Sequence, residues 1–349
     1  MRALLVINRT AGTGQSALTV EKLSSLFNER LAGLSQVRVE LVSSHPDARA
    51  RSTEFISESV APALIVAGGG GGTLRAVIEG ICTSAELPGP ERVRVGALRM
   101  GSGNLLAKQF GVPKDPVTGL RGLLTNLEAS RTVSCSLTRC KTWTRSGDSE
   151  VHHVVVLGGL GQFGRTPSDL ARWHARIPGI RKKAAQLFGI EKLNNAEYAL
   201  AIFLRSVYGT LFSETENVEI QYQDQTERLQ LLSGILMNFP ISALPFKPDV
   251  GVEDEALSVY LIPRNGRLSP LVQVIAPQRL LPQTRCLRLE KGQHLEIRFV
   301  DRDEVEFFLD EDPVTTYKKL TLEVAGSIAF VPGPDYHFTP KALVQEVTR

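Results

Sequence analysis

The chain has no apolar run of the roughly 18 to 20 residues that a membrane-spanning helix needs. Among its 349 residues are four cysteines, Cys82, Cys135, Cys140 and Cys286, and no two form a CxxC pair. A disulfide framework is therefore not expected, and the chain reads as reduced and cytoplasmic. None of the six histidines has metal-site spacing. His152-His153 reads as structural or exposed, at the start of a strand. No lysine stands where a Walker loop, GxxxxGK[ST], requires one. There is no internal repeat, and the low-complexity content is one run of five glycines, Gly68 to Gly72. The formal charge of +3 is too small to point to a partner by itself. The opening run, MRALLVIN, is too short for a signal-peptide core and reads as a first strand.

What is present is an ordinary globular composition, with 42% hydrophobic and 22% charged residues in a chain long enough for two cores. The first 130 residues alternate strand and helix signals. Ala3 to Asn8, Val37 to Ser44, Leu64 to Ala67 and Val93 to Leu98 read as strands. Ala17 to Leu31, Ala48 to Val60 and Thr73 to Cys82 read as helices, and Leu105 to Phe110 begins another. Largely apolar strands between helices predict a parallel sheet covered on both faces. From about Arg131 the texture changes. Val133 to Thr144 and Val151 to Leu157 read as strands, and a helical region runs from about Ser168 to Tyr208. Strands then follow at Val218 to Gln223, Leu229 to Met237, Leu257 to Ile262, Leu295 to Val300, Val305 to Leu309, Leu320 to Val324 and Ile328 to Val331. Turn residues between them predict antiparallel β structure. The fold class is α/β plus β: an α/β domain over residues 1–130, a β-rich domain over 131–335 and a tail from 336 to 349.

Three glycine-bearing turns fall at strand ends in the first domain: Gly12-Thr13-Gly14, Gly68 to Gly72, and Gly101-Ser102-Gly103-Asn104. In open parallel sheets, ligands bind beyond the carboxyl ends of the strands. Glycine permits φ > 0 and close approach, and each turn opens a helix whose free N–H groups favour phosphate. Three such turns point to a phosphate-bearing ligand. Gly12 to Ala17 also fits GxGxxA, a dinucleotide pattern, but the second strand ends in Ser43-Ser44 where a ribose-binding acid would be expected. Gly159 to Gly164 fits GxGxxG and reads as a chance match, because Pro167 and a basic stretch follow it.

These turns, taken in order with Asn8-Arg9-Thr10-Ala11-Gly12 before them and Asp310-Glu311-Asp312-Pro313 after, resemble the diacylglycerol kinase catalytic-domain family. That family includes bacterial lipid kinases and sphingosine kinases, and the NAD kinases are its relatives. The resemblance spans about Arg2 to Val331. It implies an ATP site in the cleft between a nucleotide-binding α/β domain and a β-sandwich. Its first motif reads NPxxG, matched by Asn8 and Gly12, with Arg9 at the proline. Its central GGDGT, aligned on Thr73, places Gly69, Gly70, Gly71 and Gly72 before it, with Gly71 at the aspartate. The segment after it, usually Asn-Glu, is Arg75-Ala76. GTGN or GSGN matches Gly101, Ser102, Gly103 and Asn104. The late DGE motif matches at Asp310 and Asp312, around Glu311. A segment resembling PxAxxDDGxL, Pro248 to Leu257, implies a structural Mg²⁺ at Glu253 and Asp254, whose carboxylate oxygens suit a hard cation. The substrate-side GxGFDA corresponds to Gly159 to Gly164, which lacks its aspartate.

The resemblance implies transfer of the γ-phosphoryl group of ATP to a lipid hydroxyl, that of diacylglycerol or a sphingoid base. Asp310 would be the base and Asp312 would help arrange metal or substrate. The alternatives are a nucleotide- or lipid-binding member without turnover, because of Gly71, and a dinucleotide-binding oxidoreductase using Gly12 to Ala17. Read without the resemblance, the acids at 310–312 make a solvated hairpin turn. Arg165 to Lys192 interleaves basic residues with Leu170, Trp173, Ile177 and Phe188. This pattern suits either a packed helix pair with a solvated basic face or peripheral contact with the inner face of an anionic membrane. Nucleic acid is not expected, since stacking aromatics are not interleaved with the cations. Homo-oligomerisation is left open.

Overall fold

The computed structural model describes residues 1–11, 17–82, 88–89, 91–101, 104–176, 203–211, 215–241, 246–276, 281–310 and 312–338. The chain divides into two compact units. The first holds Met1–Leu137, Val252–Glu255 and the chain from Gly326 onward; the second holds Thr138–Gly251 and Ala256–Ala325. A single cut near residue 130 is what sequence texture suggests. The structure instead returns two later segments to the first unit.

In the first unit β1 (Arg2–Asn8), α1 (Ala17–Arg30), β2 (Gln36–Val42), α2 (His45–Ser57), β3 (Ala63–Gly69), α3 (Gly71–Ile81), β4 (Val93–Arg99), α4 (Leu105–Gln109) and α5 (Pro116–Glu128) follow in order. The strands are parallel: β1 lies between β2 and β3, and β4 pairs with β3. β3 is buried throughout and β1 nearly so, which is why both read as continuous apolar runs. The edge strand β2 is mostly half-buried. Leu5, Ile7, Leu23, Phe27, Leu64 and Leu123 share one core, so helices α1 and α5 pack on the sheet. Helix α2 starts earlier than its apolar spacing predicts. Ser44 caps it by accepting from the Asp47 N–H, and Pro46 stands in its first turn.

In the second unit the strands are β5 (Val133–Trp143, beginning in the first unit), β6 (Ser149–Val154), β7 (Leu157–Leu160), β8 (Glu216–Tyr222) and β9 (Gln225–Met237). They continue as β10 (Ala256–Pro263), β11 (Arg285–Glu290), β12 (His294–Phe299), β13 (Glu304–Leu309), β14 (Asp312–Tyr317) and β15 (Lys319–Phe330). Helices α6 (Gly161–Gly164) and α7 (Thr166–Arg176) follow β7. The sheet order β14-β13-β7-β9-β8-β12-β15 is antiparallel, with β10 on β9 and β11 on β10. Its core includes Leu160, Ile220, Leu236, Val259, Ile297 and Phe307. The turn between β8 and β9 has two residues, Gln223 (φ 47°) and Asp224 (φ 62°), both in the left-handed region that a tight hairpin requires.

Two strand assignments change. The run Val151 to Leu157 is not one strand: β6 stops at Val154 and β7 starts at Leu157. The amides around that break turn to an aspartate, as described below. Leu320 to Val324 and Ile328 to Val331 are not two strands but parts of the single strand β15. Gly326 (φ 131°) interrupts the apolar pattern without interrupting the strand. After it, Ala329 and Phe330 pair in parallel with Arg94 and Val95 of β4 inside the first unit.

Candidate functional site

The glycine run sits where β3 ends and α3 begins. Gly70 is the N-cap residue of α3, and no side chain caps that end. The first N–H groups of an uncapped helix point outward and favour an anion. None of Gly68 to Gly72 takes a positive φ. Close approach accounts for glycine here. A Cβ on Gly69 would lie 2.3 Å from Thr73 Oγ1, and one on Gly101 would lie 2.3 Å from the Gly70 Cα. The turns after β3 and β4 thus meet backbone to backbone, and the Met100 N–H donates to the Gly69 carbonyl at 3.2 Å.

Two asparagines hold this arrangement. Asn8, at the end of β1, donates through Nδ2 to Thr73 Oγ1 at 3.0 Å, while its Oδ1 accepts from the Thr10 N–H (2.9 Å) and hydroxyl (2.8 Å). Asn104 stands in the left-handed region (φ 50°) before α4. Its Oδ1 accepts from the Gly101 N–H at 3.1 Å, and its Nδ2 donates to the Gly101 carbonyl. The structure therefore brings together Asn8, Gly69, Gly70, Thr73, Gly101 and Asn104, with Gly71 and Gly72 in the first turn of α3. Gly12, Thr13, Ser102 and Gly103 lie outside the described residues. The geometry suits the phosphates of a nucleotide: an uncapped helix end, two turns packed closely at Gly69 and Gly101, and polar groups already fixed. Arg75 of α3 is buried, and its Nε lies 3.1 Å from Glu79 Oε1. His45 Nε2 is 2.8 Å from the other oxygen of Glu79. The departure at Arg75 thus belongs to a buried ion-pair network.

Asp310 lies in the turn joining β13 to β14, where Leu309 pairs with Asp312. It is not solvated, contrary to the plain turn reading: it is 4% exposed, with φ 48°. Its Oδ2 accepts from the Val155 N–H at 2.9 Å, and its Oδ1 from the N–H groups of Val156 (2.9 Å) and Leu157 (3.0 Å). Its own N–H donates to the Leu157 carbonyl at 2.7 Å. The carboxylate therefore takes up the amides that a continuous strand through 155–156 would have placed in a ladder. Asp312, two residues on, begins β14 and is half-buried. Glu311 lies outside the described residues.

Glu253 and Asp254 lie in a turn of the first unit. Glu253 Oε1 accepts from the Tyr336 hydroxyl at 2.8 Å, and Glu255 accepts from Ser327 at 3.1 Å. Burial and the bond to Glu253 push the Tyr336 hydroxyl well above its ordinary pKa. Among the described residues no group of three or more His, Cys, Asp or Glu could hold a metal ion. The side chains of this turn fit a polar tie to the 327–336 segment better than a cation cage. Tyr336→Phe is expected to cost about 1–2 kcal/mol of stability, since it removes a donor from a carboxylate. Denaturant melts of the two proteins check this, and equal midpoints would refute it.

Of the basic segment 165–192, residues 177–192 lie outside the described residues. In the described part, Arg165 pairs with Glu216 at 2.8 Å, and Arg172 pairs with Asp169 and Glu306. No helix among the described residues is long and apolar enough to cross a membrane. The glycines of the GxGxxG-like stretch have structural reasons: a Cβ on Gly159 would lie 2.2 Å from the Phe308 ring, one on Gly164 would lie 2.5 Å from the Gly159 carbonyl oxygen, and Gly161 has a φ of 64°.

The turn at Gly68 to Thr73, with Asn8 and Asn104 fixed beside it, falls within a stretch that matches a known family. Residues 2–137 match the diacylglycerol kinase catalytic domain. That match lies within the first unit. A diacylglycerol kinase from Bacillus anthracis str. Sterne has a similar fold, with a TM-score of 0.58 at 16% identity, covering 96% of this chain and 98% of its own. Yeast NADH kinase, solved in complex with NADH, gives 0.54 at 12% identity, covering 100% of this chain and 87% of its own. At these identities the likeness is one of fold. A search of curated proteins finds no match.

Proposed function

We propose that the protein is an ATP-dependent kinase of a lipid alcohol, of the diacylglycerol or sphingoid-base class. The observation that carries this reading is the uncapped start of α3, packed on Gly101 and tied to Asn8 through Thr73, within a diacylglycerol kinase catalytic-domain match. Main-chain N–H groups of Gly70 to Gly72 bind phosphate oxygens, and Asn8 and Asn104 keep the turns in place. When bound, the Mg²⁺ that accompanies ATP would supply charge neutralisation at the phosphates. No step is assigned to a metal at Glu253 and Asp254. The proton of the attacking hydroxyl goes to Asp312. The acceptor oxygens of Asp310 already serve three main-chain N–H groups, so Asp310 sets the hairpin that presents Asp312.

The test is a transfer assay with purified protein, labelled ATP, Mg²⁺ and a panel of lipid alcohols in mixed micelles. Label in a lipid supports the reading. ATP binding without label in any lipid supports the second reading, a nucleotide binder without turnover. That reading rests on Gly71, which stands where the family pattern has an aspartate. It carries its own expected result: Gly71→Asp would raise turnover at least about tenfold, the low side of what a positioned carboxylate contributes.

A further inference from the structure

The second unit has an open groove of about 580 Å³, within the size range of small-ligand sites. Four chain segments supply it: the β5–β6 turn, β8, the end of β12 and the β14–β15 turn. Its lining includes Trp143, Arg145, Arg298, Val300, Lys318 and Lys319, with Glu219 as the one acid among the described residues that line it. The floor follows from register. Arg298 of β12 pairs with Glu219 of β8 on one side and with Lys319 of β15 on the other, so the three side chains stand in a row on one face.

The charges do not cancel. Glu296 bonds to both Arg298 and Lys319, leaving one positive charge in that set of three. Burial opposes the charge on Glu296, but the two cations hold its carboxyl below the usual carboxylate range. Glu219 pairs with Arg228, and Lys318 lies 3.6 Å from Asp303, both of that pair exposed. Arg145 adds a second surplus charge. The cations also lie on aromatic faces: Lys319 is 4.4 Å and Lys141 5.3 Å from the Trp143 ring centre, and Lys318 is 5.4 Å from that of Tyr317. Val300, 57% exposed, gives the wall an apolar edge. Cations, an indole face and an apolar edge together suit a ligand with a phosphate at one end and apolar surface at the other.

The groove is separate from the acid-bearing turn. In the β13–β14 pair, Glu304 faces Tyr317 at one end and Leu309 faces Asp312 at the other. Five residue steps at about 3.4 Å each put about 17 Å between those ends. We propose that this groove is a second binding site, for a phosphate monoester carried on an apolar or glycerol body. The proposal does not depend on the kinase reading.

The experiment follows tryptophan emission of the full chain, without ATP, against two probes. One is glycerol 3-phosphate; the other is phosphatidylcholine vesicles with and without phosphatidic acid. Trp143 and Trp173 are the two tryptophans, and Trp143 lines the groove. A saturable change with the soluble ester identifies a free phosphate ester as sufficient. A change with phosphatidic acid vesicles alone identifies a lipid headgroup. In either case Arg145→Glu with Lys318→Glu, both at exposed positions, is expected to weaken binding about tenfold or more. Equal binding by that variant, with an unchanged melt, overturns the proposal. So does the absence of a saturable change with either probe.

Discussion

Asp312→Asn is expected to cut lipid phosphorylation about 10²–10⁴-fold, the usual contribution of a positioned base, while leaving the unfolding midpoint nearly unchanged. Asp310→Asn is expected to do something different. An asparagine there keeps one acceptor oxygen and turns an NH₂ group towards at least one of the amides of Val155, Val156 and Leu157. Hydrogen bonds to a charged acceptor are worth roughly 1.5–3 kcal/mol each, and a buried donor left without one costs about as much. A loss of about 3 kcal/mol is therefore expected for Asp310→Asn, with activity falling as a consequence. Parallel denaturant melts and initial rates separate the two acids. A stable, inactive Asp310→Asn beside an active Asp312→Asn would reverse the assignment and make Asp310 the base.

The second large effect concerns two adjacent glycines. Gly69→Ala places a Cβ 2.3 Å from Thr73 Oγ1 and 2.5 Å from Thr73 Cβ, so Thr73 must move. Thr73 is buried and receives the Asn8 side chain, so movement there breaks the link between the β1 and β3 ends. Overpacking of this kind costs about 1–3 kcal/mol. Nucleotide affinity should fall at least about tenfold as the turn loses its shape. Gly70→Ala should behave otherwise. Its Cβ would meet only the Gly101 Cα, at 3.5 Å, an ordinary contact, and its φ of −93° is open to any residue. The stability loss expected for Gly70→Ala is under about 1 kcal/mol, the cost of alanine at an N-cap. Thermal melts and ATP titration of the two variants provide the check. Equal stabilities would mean the turn is free to relax, and the close-packing account would fail.

The turns after β3 and β4 were legible because each combines two local signals, an apolar strand end and a glycine close to a helix start, while the turn at Gly12 to Gly14 lies outside the described residues. Asn8 and Thr73 were also in view, though as separate motif positions rather than as partners 65 residues apart. The start of α2 was missed although its signal is local: Ser44 with Asp47 three residues on. Strand β14, which begins Asp-Pro-Val, was missed because an acid and a proline at its start read as turn. Its pairing with β13 overrides that preference.

The sequence by itself determined the class of each half, because burial on both faces of a parallel sheet writes unbroken apolar strands and antiparallel hairpins write short ones between turns. It also marked the turns after β3 and β4 as candidates for phosphate, since strand end, glycine and helix start are close neighbours in the chain. Only the tertiary structure showed how Asp310 is held. Asp310 is held by amides more than 150 residues earlier, and that contact breaks an apolar run into β6 and β7. Only the tertiary structure, too, set Arg298 between Glu219 and Lys319, because cross-strand register joins residues that no local pattern relates.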